Sequence, residues 1–505
     1  MLKNYAIYTH ENGGRVLLLF LLFCLAIYQF VTAGLPAFAI VCLLPFIVLF
    51  IYASFKWNMF TFWVLILVNY FIQTHGIPFP GPISIYNELL EIILLAIAII
   101  DARQTPHFER SVNLMLLALV IWCTYCTLEV FNDTCGLGIN IGAWYTGARL
   151  MAYQLLYIFL VFSLYISSPE ILIKYLKLWA LLSLFSAIWT WKQQNIGMTP
   201  AEERFLYGAG RTTHIIQNGT LIRYFSTFSD AANYGCNAAA SAVAFLIFGI
   251  TTIIKKERWF FIIIAILVVK SMFASGTRTA IFCMIGGFAV YLVLSKSFKI
   301  TIPAAIIGSF FIFILAFTTI GQSNQQIRRM RSAFDRNDAS ANVRDINQET
   351  MKKYMKDAPW GIGIGMMSNN VPANNKYNRM ASIPTDSEYV FIWLRTGKIG
   401  MSIFIITMLI MLGGACHIVL FRLKSPSLIG IGGGLCSAFV AIQLGGYANQ
   451  VLFQFPNCLT FYGGLTIVYI LPYLEPAWIE YEQKRLKIQE EKKRIKLEKK
   501  LASRV

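Results

Sequence analysis

Runs of about twenty apolar residues, separated by short polar stretches, make up most of the chain. A run of this length can cross a bilayer as an α-helix, because helical hydrogen bonds satisfy the backbone where water is absent. The pattern therefore predicts an all-α integral membrane protein with about fourteen transmembrane helices. We expect these spans near residues 16–34, 36–54, 58–74, 84–101, 112–132, 147–167, 173–191, 233–253, 259–275, 278–295, 301–321, 398–420, 428–448 and 457–474.

The composition supports this class. Of the 505 residues, 57% are hydrophobic and 13% are charged. Soluble domains carry roughly 25% charged residues, so an ordinary soluble protein is excluded. The ten cysteines lie mostly within apolar runs, and the five histidines show no ligand spacing. The sequence therefore predicts no bound metal and no other cofactor.

Basic residues divide the polar segments between the two sides of the membrane. Short loops on one side carry lysine or arginine, as at Lys255-Lys256, whereas loops such as 74–82 and 131–143 carry neither. Basic residues in short loops favour the cytoplasmic side. We therefore expect both termini to lie in the cytoplasm.

This topology implies two parts. Residues 1–474 form a polytopic membrane domain with two extracytoplasmic loops, a smaller one at about 193–232 and a larger one at about 322–397 that contains short helices. Residues 475–505 form a basic, helical, cytoplasmic tail. Two roles remain open for this tail: a solvated helix close to anionic headgroups, or the docking of a partner.

Charged residues also occur within the predicted spans. Glu88 and Glu91 lie three residues apart in the fourth span and share one helix face, and Arg149 lies early in the sixth span. A charge within a membrane helix is costly unless it faces a partner or a polar cavity. Glu91 and Arg149 therefore either form a structural pair or bind a polar substrate.

Two arginines stand at helix ends on the predicted outer side. Arg278 lies in a short turn of small residues between two apolar helices, and Arg223 shortly precedes the eighth span. Guanidinium groups form bidentate hydrogen bonds with phosphate oxygens. The two arginines could hold a pyrophosphate at the headgroup level, and interfacial snorkelling of long side chains is the alternative.

Four short stretches then occur in a recognisable order. They are Arg223 with Phe228-Ser229-Asp230-Ala231-Ala232-Asn233-Tyr234-Gly235; Ser275-Gly276-Thr277-Arg278-Thr279-Ala280; Asp338-Ala339-Ser340 and Arg344, followed by Pro359-Trp360-Gly361-Ile362-Gly363; and Asp386-Ser387-Glu388-Tyr389, running to Thr396-Gly397-Lys398-Ile399-Gly400. In order and spacing they resemble the bacterial O-antigen polymerase and O-antigen ligase superfamily of polytopic membrane glycosyltransferases. The resemblance covers about residues 221–401.

Two departures from the family pattern favour its polymerase branch. Ligases of the family typically have histidine where this chain has Asp386, and often an acid where it has Arg395. The resemblance then implies polymerisation of lipid-linked repeat units into a surface polysaccharide (O-antigen, capsule or exopolysaccharide) at the outer face of the bacterial inner membrane. A ligase that moves finished glycan to a lipid core or protein is the first alternative. A flippase or other transporter is the second.

The resemblance also implies roles for individual residues. The donor glycan is carried on polyprenyl pyrophosphate, which is the leaving group, so no nucleotide is needed. Because arginines would supply the positive charge, neither a metal nor another cofactor is expected. Besides this lipid-linked donor, the expected partners of the protein are membrane lipids and a chain-length regulator or flippase of the same pathway, with no nucleic acid. Arg278 and Arg223 would bind the pyrophosphate, and Arg344 would either join this clamp or hold the loop. Asp386 is the first candidate base for the acceptor hydroxyl, and helix capping is its alternative role. The other substrate-binding candidates are Asp230, Glu388, Tyr389, Gly361, Gly363, Arg149 and Glu91.

Overall fold

The computed structural model describes residues 13–57, 59–76, 83–100, 107–216, 221–296, parts of 302–331, and 339–502, except for some side chains inside helices. Helices make up most of this described part. The helices are α1 (Gly13–Lys56), α2 (Phe60–Phe71), α3 (Ser84–Ile100), α4 (Leu114–Leu128), α5 (Ile141–Ala148), α6 (Gln154–Tyr165), α7 (Pro169–Asn195), α8 (Pro200–Tyr207), α9 (Arg211–His214), α10 (Ala231–Thr251), α11 (Lys255–Ala274), α12 (Thr279–Leu294), α13 (Gln325–Arg331), α14 (Ala339–Met355), α15 (Asn378–Ser382), α16 (Glu388–His417), α17 (Pro426–Ala448) and α18 (Gly463–Ala502).

Short elements join these helices. Single 3-10 turns lie at Phe108–Ser111 and Glu129–Phe131, and π turns lie at Arg149–Tyr153, Ile418–Arg422 and Cys458–Tyr462. Strand β1 (Ile215–Ile216) pairs antiparallel with β2 (Leu221–Ile222) in a two-stranded hairpin. Within the described chain this hairpin is the only strand pair, and the rest consists of helices and the loops that join them.

Eight helical segments of the described chain are long and apolar enough to cross a membrane. They are Gly13–Thr32, Leu114–Phe131, Ile141–Tyr165, Pro169–Asn195, Ala231–Thr251, Glu388–Arg422, Pro426–Ala448 and Cys458–Glu491. Every predicted span has a helix at its place except the one at 301–321, which lies mostly outside the described residues. The chain is thus a mostly helical, multi-pass membrane protein, and the count of fourteen spans stays a prediction.

The chain forms two compact units, Met1–Val64 and Leu65–Val505. In the first unit, α1 bends at Gly34, where φ is 77°, so one continuous run of helix covers two predicted spans. Large apolar side chains are exposed along most of α1. Such exposure suits a helix that faces lipid rather than water.

Local sequence signals set where several helices begin. Asn113 caps α4 by accepting backbone hydrogen bonds from the first turn. Ser168 caps α7, and Pro169 stands in the first turn, where no N–H donor is needed. Thr199 and Glu202 form a reciprocal capping box at the start of α8. These caps also fix where the loops between helices begin.

Helix α10 lies at the centre of the second unit, packed against α11, α12 and α17. It is rich in alanine and glycine, and small residues let helix backbones approach closely in a membrane. The neighbouring helices share this character. A Cβ at Gly434 of α17 would lie 2.6 Å from Phe248, and one at Gly287 of α12 would lie 3.0 Å from the Ser437 carbonyl oxygen. This close packing fixes the position of the α10 N-terminus.

Helix α18 continues through the predicted boundary at residue 474 without a break. Beyond that point, Trp478 Nε1 donates to Ser427 Oγ at 2.8 Å. Arg485 forms an ion pair with Glu257, whose carboxylate is buried. Residues 475–485 are therefore packed onto the second unit. Headgroup contact and partner docking stay predictions for the rest of the tail.

Candidate active site

Arg223 lies directly after β2 and reaches the turn that joins α11 to α12. Its Nε donates to the Ser275 carbonyl at 3.2 Å, and its Nη2 donates to Thr277 Oγ1 at 3.0 Å. Its Nη1 donates to the Thr213 carbonyl at 2.9 Å. These contacts bring Arg223 to the turn that carries Arg278, so the two arginines singled out from the sequence lie together.

A third arginine, Arg329 of α13, joins the same turn. Its Nε donates to the Gly276 carbonyl at 2.8 Å. A Cβ at Gly276 would lie 3.2 Å from Arg223 Cγ and 3.4 Å from Arg329 Cδ, so glycine gives both side chains their room. We call Ser275–Arg278 together with Arg223 and Arg329 the arginine turn. Two guanidinium groups, one from the segment after β2 and one from α13, are thus bonded to the turn that carries Arg278.

The segment that precedes α10 is fastened to the end of α7. Gln193 accepts from the Ser226 N–H at 2.9 Å and donates to its carbonyl at 3.1 Å. Gln193 and Trp189 also donate to the buried Glu202 carboxylate, at 2.8 and 2.7 Å. Burial raises the pKa of Glu202, but hydrogen bonds from Thr199, Trp189 and Gln193 outweigh it and hold the pKa below its ordinary value. An ionised carboxylate therefore anchors this segment near neutral pH.

Two side chains cap the N-terminus of α10 beside the arginine turn. Asp230 Oδ1 accepts two backbone N–H groups of the first helical turn, at 2.8 and 2.9 Å. His214 is buried, and its Nε2 accepts from the Ala231 N–H at 3.1 Å. Burial and the positive charge of Arg223 lower the pKa of His214 to about 4, so the ring is neutral near pH 7. Asp230 thus has a structural role, and its substrate role stays a prediction.

Asp386 is exposed just before α16 and lines a cavity of about 170 Å³. The same lining contains Asn347 and Gln348 of α14 and Tyr447 of α17. Amide, phenol and carboxylate groups all form hydrogen bonds with sugar hydroxyls. The N-cap of α16 is Ser387, whose Oγ accepts from the N–H three residues on at 3.4 Å. Capping, the alternative considered for Asp386, is thus carried out by its neighbour.

The loop of residues 449–457, which follows α17, holds the segment before α16. Glu388 is buried, and its Oε2 accepts from the Leu452 N–H at 2.9 Å. Gln450 Nε2 donates to Thr385 Oγ1 at 2.6 Å and to the Thr385 carbonyl at 2.9 Å. The Glu388 carboxylate therefore binds backbone of its own chain, and its predicted contact with substrate remains a prediction.

The same 449–457 loop also contacts the start of α10. Ser229 Oγ donates to Gln454 Oε1 at 2.8 Å, and Asn233 Nδ2 donates to the Phe455 carbonyl at 2.9 Å. One loop thus fastens both the cavity with the candidate base and the helix start beside the arginine turn. Their separation is fixed by hydrogen bonds on both sides of this loop.

The glycine turn at 361–365 packs against a bend in α16. Gly397 has φ of 66° and Gly361 has φ of 81°, left-handed values that favour glycine. The Gly363 N–H donates to the Arg395 carbonyl at 3.1 Å, and a Cβ at Gly361 would overlap the Arg395 backbone. The space beside Gly361 is thus filled by protein, so the close approach that glycine permits there is between two backbone segments.

The ion pair between α3 and α5 differs from the expected one. Arg149 Nε lies 3.2 Å from Glu88 Oε1, and Arg149 Nη2 donates to Ser84 Oγ at 2.7 Å. The expected pairing of Arg149 with Glu91 is therefore wrong. Glu88 and Ser84 lie one turn apart on α3, nearer its N-terminus than Glu91. This part of α3 is level with Arg149, which directly follows α5. Direct substrate contact by Arg149 or Glu91 stays a prediction.

Two further predicted residues have less defined surroundings. Tyr389 Oη donates to Gln443 Oε1 of α17 at 2.9 Å, so its hydroxyl contacts protein while its ring is half-buried. Arg344 lies on α14, and its side chain is outside the described part of the chain. Stacking by Tyr389 and phosphate contact by Arg344 stay predictions. Within the described residues, no three His, Cys, Asp or Glu side chains are placed to hold a metal.

Sequence reasoning missed two parts of this arrangement. Arg329 lies in a basic run with Arg328 and Arg331, and no spacing singles it out from its neighbours. The 449–457 loop lies outside every motif, and its glutamines carry no chemical signature of their own. Only the fold shows which of these side chains reach the site.

The fold and these contacts define a multi-pass membrane protein with arginines gathered at one end of its helices. Residues 263–405 match the family model described as O-antigen ligase. The match over this range confirms the predicted resemblance to the O-antigen ligase and polymerase superfamily. No curated protein matches the chain.

The matched family indicates the chemistry only in coarse terms. Its members are glycosyltransferase-like enzymes of polysaccharide biosynthesis that act on lipid-linked glycans. The matched range contains Arg278, Arg329 and Asp386, whereas Arg223 precedes it. The match does not distinguish polymerase from ligase, and it gives the flippase alternative no support.

Proposed function

We propose that this protein polymerises oligosaccharide repeat units carried on polyprenyl pyrophosphate, at the outer face of the bacterial inner membrane. The observation that carries the proposal is the arginine turn, where Arg223, Arg278 and Arg329 meet. Pyrophosphate is the leaving group of such a donor, and guanidinium groups bind its oxygens by charge-assisted hydrogen bonds of roughly 1.5–3 kcal/mol each. Positive charge held at this turn would stabilise the leaving group as it departs.

The proposed reaction forms one bond and breaks one. The acceptor sugar hydroxyl attacks the anomeric carbon of the donor, and the bond from that carbon to the phosphate oxygen breaks. The electron pair leaves with the polyprenyl pyrophosphate, whose charge the arginine turn balances. The hydroxyl proton passes to Asp386, which lines a cavity with amide and phenol groups suited to an acceptor sugar. Because arginines supply the positive charge, we propose that no metal takes part.

A ligase is the second candidate, and it is the activity that the description of the matching family names. The donor chemistry would be the same, and only the acceptor would differ: a lipid core or protein instead of a second lipid-linked glycan. Asp386, at a position where ligases of the family typically have histidine, is the reason to rank polymerisation first.

An assay with purified protein tests the chemistry directly. We would incubate full-length protein in detergent with lipid-linked repeat units and resolve the products by chain length. Arg278→Ala should lower the rate by about 10²–10³, the usual effect of removing one donor to a developing anion. Arg379→Ala, which replaces an exposed arginine of α15, is the matched control and should retain activity. Equal rates for the two variants would refute the role of the arginine turn.

Deletion of the gene in its host distinguishes the two candidates. Lipid cores capped by a single repeat, with the long ladder restored by wild type and not by Arg278→Ala, would identify a polymerase. Bare cores, with finished polymer retained on the carrier, would identify a ligase. An unchanged ladder would exclude the O-antigen product and direct the search to capsule or another exopolysaccharide.

A further inference from the structure

A second group of charged and polar side chains lies where α3 packs along α6. At one level Arg149 contacts Ser84 and Glu88, and further along Tyr165 Oη donates to the Leu94 carbonyl at 2.8 Å. Residue numbers rise together on both helices, so α3 and α6 run parallel. None of these residues belongs to the arginine turn or to the cavity beside Asp386.

A π turn at Arg149–Tyr153 brings a further polar side chain to this place. In a π turn the backbone hydrogen bonds join residues five apart, so Gln154 lies one helical turn after Arg149, at the start of α6. On α3, Asn87 and Glu91 are four residues apart and share one face. All three side chains, Asn87, Glu91 and Gln154, have no exposed surface.

These three side chains are buried without hydrogen bonds. Within the described part of the chain, neither carboxylate oxygen of Glu91 has a partner, and neither polar atom of Asn87 or Gln154 has one. A buried polar group left unpaired costs roughly 1–3 kcal/mol, and more if it is charged. Several such groups on one helix interface point to a bound species that pairs with them.

The charge of the group shows which kind of species fits. Glu88 and Glu91 each contribute −1 and Arg149 contributes +1, which sums to −1. Among the described residues, the phenol of Tyr157 on α6 and the thiol of Cys458 in the π turn before α18 also interact electrostatically with Glu91. Neither of these supplies a positive charge. A net charge buried among apolar helices is strongly unfavourable, so a single positive charge is required.

We propose that Glu91, Asn87 and Gln154 form a binding site within the helix bundle for one monovalent cation, either a proton or a sodium ion. Carboxylate and amide oxygens are the hard ligands that such ions prefer. A proton would bind a Glu91 oxygen, and the resulting hydroxyl would donate to an amide oxygen of Asn87 or Gln154. The argument for this site does not use the glycan chemistry proposed above.

Unfolding of the purified full-length protein in detergent tests the site without any activity assay. The unfolding midpoint would be measured from pH 5 to 9, in a sodium chloride series and in a choline chloride series of equal ionic strength. Wild type would be compared with Glu91→Gln, which keeps the shape and removes the charge. Glu203→Gln, an exposed glutamate of α8, is the matched control. Gln154→Leu, which removes an amide oxygen, serves if Glu91→Gln does not fold.

Two results support the site and identify its occupant. A midpoint that rises with sodium and not with choline, in wild type and Glu203→Gln alone, identifies sodium. A midpoint insensitive to sodium that falls with rising pH, and falls less in Glu91→Gln, identifies a proton. The same dependence on sodium and pH in wild type, Glu91→Gln and Gln154→Leu would overturn the proposal.

Discussion

Replacing His214 by glutamine should make the protein less sensitive to acid. His214 Nε2 accepts the Ala231 N–H at the start of α10, and the neutral ring is required for this bond. Burial and the charge of Arg223 hold the pKa of His214 at about 4, below the ordinary 6.5. Because the folded state disfavours the proton, the neutral ring stabilises the fold above pH 6.5. That stability is lost as the pH falls from 6.5 towards 4.

The size of the effect follows from the two pKa values. A difference of about 2.5 units corresponds to roughly 3 kcal/mol at most, since one unit is worth about 1.4 kcal/mol. At pH 4.5 wild type should have lost about 2.5 kcal/mol of this stabilisation relative to pH 8. The glutamine side chain does not titrate, and its oxygen can accept the same N–H. His214→Gln should therefore lose about that much less over the same range.

Denaturant titrations of purified protein at pH 4.5, 5.5, 6.5 and 8 measure this difference. Each pH would be run for wild type, His214→Gln and His107→Gln. His107→Gln is the matched control, because His107 lies on a partly exposed loop and makes no hydrogen bond to the start of α10. Parallel pH profiles for wild type and His214→Gln would refute the reasoning, because acid sensitivity would then arise at other groups.

Two further substitutions test the packing around the candidate site. Gly397→Ala should destabilise the protein by about 2 kcal/mol or more, because φ is 66° and a Cβ would overlap the Pro359 carbonyl. Gly413→Ala on the same helix meets no atom within 4 Å and should be neutral or stabilising, and thermal unfolding compares the two. Glu388→Ala should leave the buried Leu452 N–H unpaired, lower the free energy of unfolding by roughly 2–4 kcal/mol and reduce glycan transfer. Glu388→Gln keeps an acceptor for this N–H and should therefore retain most of the stability and of the transfer activity. Equal unfolding midpoints for either pair would contradict the corresponding argument.

The membrane helices were largely predictable, because apolar runs and helix caps are local properties of the chain. The helix at Pro169–Asn195 shows this: a serine cap, a proline in the first turn and an apolar run mark it without tertiary information. The proximity of Arg223 and Arg278 was also predictable, because both residues were expected at helix ends on the same side of the membrane. The span predicted at 301–321 lies mostly outside the described residues and stays a prediction.

The sequence was least informative where distant segments meet, and the pairing of Arg149 with Glu91 was wrong there. Glu88, rather than the expected Glu91, forms the ion pair with Arg149. The relative axial position of two packed helices cannot be inferred from the residues of either helix. Ser387 rather than Asp386 caps α16, a choice between neighbours that depends on side-chain direction. The contribution of Arg329 depends on where α13 packs, and its sequence neighbours are chemically equivalent.

The 449–457 loop limits how this protein can be recombined with relatives. The recognisable family region spans residues 263–405, yet Glu388 inside it is held by the backbone of Leu452 outside it. Arg223, also outside, is bonded to the turn at Ser275 within. A chimera that exchanged the family region alone would pair a foreign glutamate and turn with a host loop and arginine. An exchange meant to transfer specificity should therefore include the 449–457 loop and the β2 segment together with the family region.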